Sequence, residues 1–114
     1  MKKIIIFAIL WVLFVSLYIC YADEYSTQEI CNAIYIIEGG EKTNYPYGIK
    51  SVQCNGKKEC EQVCKNTIEN NRKRFAKQTK EKEFLKFLQS RYCPDSVKGC
   101  ETWLPNLKFY LKRN

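Results

Sequence analysis

The sequence predicts a mainly α, small helical domain, stapled by disulfides, with a loop or tiny β-hairpin after its first helix. Three observations predict it. Four stretches place apolar residues at helical spacing, and a Pro- and Gly-punctuated segment separates the first two. Six cysteines lie beyond residue 22 in a segment of only 92 residues. A domain that small gains much of its stability from covalent staples.

The first helix is expected from Ser26, where Ser26 and Glu29 have the spacing of a capping box. Ile30, Ala33, Ile34 and Ile37 mark one face, and Gly39-Gly40 should end the helix, leaving Glu38 as its last residue. Residues 41 to 56 read as loop or hairpin, with Tyr45, Tyr47, Ile49 and Val52 as apolar anchors. A second helix is predicted from about Lys58 to Phe75, with Cys60, Val63, Cys64, Thr67 and Ile68 near one face. A third is predicted from about Lys80 to Arg91. Thr79 is its expected cap, Glu81 and Glu83 lie in its first turn, and Pro94 stops it. Thr102 is expected to cap a last helix, whose apolar side is Trp103, Leu104, Leu107 and Leu111, with Pro105 in its first turn.

Residues 1–22 read as a signal peptide and residues 23–114 as the domain. Lys2 and Lys3 precede an apolar run from Ile4 to Val15 that continues past Ser16 to Ile19, and Cys20-Tyr21-Ala22 fits a cleavage site after Ala22. The alternative is a retained membrane anchor, since the run is about long enough to span a bilayer. A lipoprotein at Cys20 is disfavoured by Ile19 before it. Export predicts a periplasmic or secreted location. It also removes one of seven cysteines and leaves Cys31, Cys54, Cys60, Cys64, Cys93 and Cys100 as disulfide candidates. Six cysteines allow 15 pairings. Cys64–Cys93 would join two helices, and Cys54–Cys60 would close a short loop. A zinc site at Cys60 and Cys64 is disfavoured, so no metal and no cofactor are expected.

Loss of Lys2 and Lys3 lowers the formal charge from +7 to about +5, which favours anionic polymers or surfaces. The run Lys65, Arg72, Lys73, Arg74, Lys77 and Lys80 is read either as attraction to an anionic envelope or as a solvated face. No nucleic-acid motif is present. The chain has no histidine, so neither a Ser-His-Asp triad nor a Cys-His pair can form. Chemistry would rest on carboxylates, tyrosines or cysteines.

Glu38 has the setting for such chemistry. A helix C-terminus and the apolar neighbours Ile36 and Ile37 both favour its protonated form. A carboxylic acid held protonated near neutral pH is what glycosidic bond cleavage needs as its general acid. An ordinary surface glutamate at a helix end is the plainer reading. No second carboxylate stands out: Glu41 is close in sequence, and Asp95 and Glu101 fall in late loops.

The stretch AIYIIEGGEKTNYPYGIKSV, residues 33 to 52, resembles the active-site segment of lysozyme-like proteins of bacteria and their phages. That superfamily includes soluble lytic transglycosylases and goose-type lysozymes. The segments Cys64-Lys65-Asn66-Thr67-Ile68, Arg91-Tyr92-Cys93-Pro94 and Trp103-Leu104-Pro105-Asn106 are similar to elements of its small members. The resemblance implies Glu38 as catalytic acid and Tyr47-Gly48-Ile49 as the element returning beneath the sugar. It also implies Tyr45, Tyr47, Gly48, Ile49, Ser51 and Tyr92 as substrate-binding residues; buried-ring packing is the alternative for the tyrosines. The sequence departs from the pattern at Gly39, where a serine is usual, and at Lys50-Ser51, where a glutamine is. The expected function is single-glutamate cleavage of peptidoglycan glycan strands by a monomer. The alternatives are a silent secreted module that binds glycan or protein, and a basic disulfide-rich effector. Membrane contact is expected only through an uncleaved signal segment.

Overall fold

The computed structural model describes residues 8–11 and 25–113. The expected signal peptide and its cleavage site therefore lie outside the described residues, apart from 8–11. Among the described residues no helix is long and apolar enough to cross a membrane.

Four α-helices account for most of the domain: α1 (Thr27–Ile37), α2 (Gly56–Ala76), α3 (Phe84–Tyr92) and α4 (Trp103–Arg113). Short 3₁₀ turns at Gly40–Lys42 and Cys100–Thr102 follow α1 and precede α4. The packing is a closed ring. Helix α1 lies on α2, α2 on α3, α3 on α4, and α4 returns to α1. Such a ring buries one stripe of every helix against two neighbours.

The buried stripes follow from the sequence periodicity. Ile30, Ala33 and Ile34 of α1 meet Cys64 and Ile68 of α2, Leu85 and Leu88 of α3, and Leu107 and Leu111 of α4. The start of α1 is the predicted capping box: the Ser26 hydroxyl accepts from the Glu29 amide at 3.1 Å, and Glu29 accepts from the Ser26 amide at 3.2 Å. Helix α1 ends at Ile37, with Glu38 as its C-cap and Gly39 in the left-handed region at φ 92°.

Two boundaries differ from expectation. Helix α3 begins at Phe84 rather than near Lys80, because Gln78 binds the segment before it. Its side chain donates to the Glu81 carbonyl at 2.8 Å and accepts from the Glu81 amide at 2.9 Å. That holds Thr79 out of the cap position, which Glu83 takes. Thr102 lies inside the 3₁₀ turn that runs into α4, rather than capping it. The segment between α1 and α2 contains no strand among the described residues, so it is the loop of the two expected forms.

Two disulfides are formed among the described residues. Cys54–Cys60 ties the loop to the first turns of α2, as expected. Cys93 pairs with Cys100, not with Cys64. The reason is local: Tyr92 places its hydroxyl 3.8 Å from the Cys64 sulfur, and the next residue leaves the helix as its C-cap. Closing the seven-residue span from α3 to α4 stabilises the fold by roughly 2–3 kcal/mol in the chain-entropy view. Cys31 and Cys64 are buried free thiols. A hydrogen bond to Cys64, together with burial, pushes the Cys31 thiol well above the usual range.

Two predictions follow from this packing. Ile34 is fully buried and Ile36 is 48% exposed on the same helix. Ile34→Ala should cost about 2–5 kcal/mol in a denaturant titration. Ile36→Ala should cost less than about 0.5 kcal/mol. In the 23–114 domain, iodoacetamide should label neither free thiol under native conditions and both after unfolding, as read by intact mass.

Candidate active-site groove

Construction of the site starts with the loop. Its backbone turns at Tyr45–Gly48, where the Gly48 amide donates to the Tyr45 carbonyl at 2.8 Å and Pro46 fixes the turn's second residue. Tyr47 is driven inward and is 3% exposed, its ring 5.2 Å from that of Tyr35. Burial raises its phenol above the ordinary tyrosine range. With Tyr47 anchored in the core, Gly48 is laid on the end of α1. Gly48 has φ +73°, and a Cβ there would lie 2.7 Å from the Glu38 carboxyl carbon. Only glycine allows this approach without displacing the carboxyl.

Helix α4 supplies the other contact. The Trp103 indole N–H donates to Glu38 Oε1 at 2.9 Å, across 65 positions of sequence. Trp103 is itself fixed by Tyr92, whose ring stacks on it at 5.4 Å and 23°. Tyr92 is in turn seated on the Cys64 sulfur. Burial, with the Cys64 sulfur next to it, raises the Tyr92 phenol well above its ordinary range, so it stays neutral. The Cys93–Cys100 bridge spans the turn between Tyr92 and Trp103 and so sets their spacing.

Glu38 opens onto a groove of about 570 Å³. Gly48, Ile49, Lys50 and Ser51 of the loop form one wall. Thr67, Asn71 and Arg74 of α2, Arg91 and Tyr92 of α3, and the 93–100 turn complete it. Of the residues expected from sequence, Glu38, Gly48, Ile49, Ser51 and Tyr92 therefore meet in one groove. Tyr45 and Tyr47 do not line it. Tyr45 is exposed with the Lys50 ammonium 6.0 Å over its ring, and Tyr47 is a core residue.

Among the described residues Glu38 is the one carboxylate lining the groove. Glu41 lines a separate pocket with Tyr35 and Lys57. Asp95 accepts from Gln89 at 2.6 Å, and Glu101 accepts from the Gly99 amide at 2.9 Å. The basic run divides by role. Arg72 packs over Phe84 and donates to the Tyr25 carbonyl, Lys65 pairs with Glu61, and Arg74 reaches the groove.

Sequence reasoning missed the Trp103 contact and the contributions of Thr67, Asn71, Arg74 and Arg91 to the groove. Trp103 had a signal, since it opens one of the segments that carry the resemblance, but its periodicity marked it only as core. No family model, curated protein or solved structure matches the chain.

Gly48→Ala tests the construction. It should destabilise the domain by about 1–3 kcal/mol and move the Trp103 indole N–H resonance, because the displaced carboxyl is its acceptor.

Proposed function

We propose that the protein cleaves peptidoglycan glycan strands in the periplasm or outside the cell, with Glu38 as its single acid and base. The observation that carries this reading is the Glu38 carboxyl, held by the Trp103 indole at the wall of a groove with no other carboxylate among the described residues. A two-carboxylate glycosidase needs a partner group across the sugar. The described residues of the groove offer none, which favours single-glutamate chemistry.

The roles of the two carboxyl oxygens are distinct. Oε1 accepts the indole N–H, so Oε2 is the oxygen left to carry a proton. Protonated Oε2 donates to the glycosidic oxygen as the bond to the anomeric carbon breaks, and the leaving sugar departs with a hydroxyl. The carboxylate then takes the proton of the 6-hydroxyl as that oxygen attacks the anomeric carbon and closes a 1,6-anhydro ring. Water in place of the 6-hydroxyl gives hydrolysis. Trp103 positions the acid and, with Tyr92, covers its inner side. Export rests on the signal-peptide features of residues 1–22.

Glu38→Gln keeps the oxygen that accepts from Trp103 and removes the proton donor. It should lower turnover of purified peptidoglycan by about 10²–10⁴-fold or more. Mass spectrometry of wild-type products should show anhydro-muropeptides; plain reducing ends would identify hydrolysis instead. Glycan binding without products from the oxidised wild type would contradict the enzyme and identify a binding module.

A further inference from the structure

Three cations converge on the groove from three separate elements: Lys50 from the loop, Arg74 from α2 and Arg91 from α3. All three are exposed, and among the described residues none is in an ion pair. Among the described residues only Glu38 stands against them, so these residues give the groove a surplus of positive charge even with the acid ionised. Lys65 pairs with Glu61, Arg72 with Glu69 and Lys108 with Glu83, whereas Lys50, Arg74 and Arg91 share one concave surface. A concave surface with an unbalanced set of one sign concentrates the opposite charge. Guanidinium groups also match carboxylates in geometry, each able to present two parallel N–H donors.

From this we infer that the groove selects a glycan strand bearing carboxylates, with Arg74 and Arg91 as the residues that read them. The inference rests on the proposed glycan function and adds what that function leaves open: discrimination against neutral strands of the same sugar backbone. The groove is polar and apolar in turn, with Ile49, Val97 and the Tyr92 ring beside the cations. That mixture suits a sugar face bearing an acidic substituent better than a bare polyanion.

Binding by the full domain carrying Glu38→Gln, which does not consume its ligand, tests the inference by calorimetry. The probes are an alternating aminosugar tetrasaccharide with free lactyl carboxylates, neutral N-acetylchitotetraose, and polyglutamate as a polyanion without sugar. The carboxylated tetrasaccharide should bind on the order of tenfold more tightly than the neutral one at low salt, and the gap should narrow at high salt. Adding Arg74→Gln and Arg91→Gln should remove that gap and leave neutral binding within about twofold. Both arginines are exposed, so the substituted domain should keep its fold, which circular dichroism checks. Equal binding of the two tetrasaccharides, an unchanged gap in the arginine variant, or equally tight binding of polyglutamate would overturn the inference. Failure to bind either tetrasaccharide would overturn it together with the glycan function. Absence of turnover by the wild type, with the charge preference intact, would sink the enzyme alone.

Discussion

The indole of Trp103 on the carboxyl of Glu38 is the contact around which the rest of the site is arranged. It joins the end of the first helix to the start of the last, the two elements that close the helical ring. Neither partner could hold the geometry alone. Glu38 stands at a helix end, where the backbone stops constraining it, and Trp103 follows a short 3₁₀ turn. Each is therefore braced by a third group: Gly48 against the carboxyl and the Tyr92 ring against the indole.

These braces are drawn from the most ordinary parts of the fold. Tyr47 is a core residue, yet its burial is what lays Gly48 on Glu38. The Cys93–Cys100 bridge stabilises a small domain, and the turn it spans also brings Tyr92 beside Trp103. Stability and positioning thus share the same residues. A substitution at Tyr47 or Tyr92 therefore bears on the placement of the acid as well as on the core.

Much of the fold was legible because its signals are local. The capping box at Ser26, the glycine stop after Glu38 and the stripe Ile30, Ala33, Ile34 depend on spacings of three or four residues, and the structure has all of them. Expectation failed where a side chain satisfied the backbone in a way that periodicity does not encode. Gln78 clamps Glu81 and delays α3, although Lys80 to Glu83 are all good helix formers. Of the two cysteine pairs expected, Cys54–Cys60 is formed and Cys64–Cys93 is not, for a related reason. The α3 residue that faces Cys64 is Tyr92, and Cys93 has already left the helix as its C-cap, where it meets Cys100.

The groove was half legible. Glu38, Gly48, Ile49, Ser51 and Tyr92 were found through the loop and the resemblance, while the wall from α2 was hidden. Thr67, Asn71 and Arg74 recur at spacings of four and three on a helix whose charged residues read as solvated surface. Only the folded ring turns that face toward Glu38. A crystal structure of the Glu38→Gln variant with a peptidoglycan tetrasaccharide would test the central claim most directly. The account predicts a sugar chain along the groove, with a glycosidic oxygen within hydrogen-bond distance of the residue 38 amide. A chain bound elsewhere, or one that leaves that amide without a sugar contact, would contradict it.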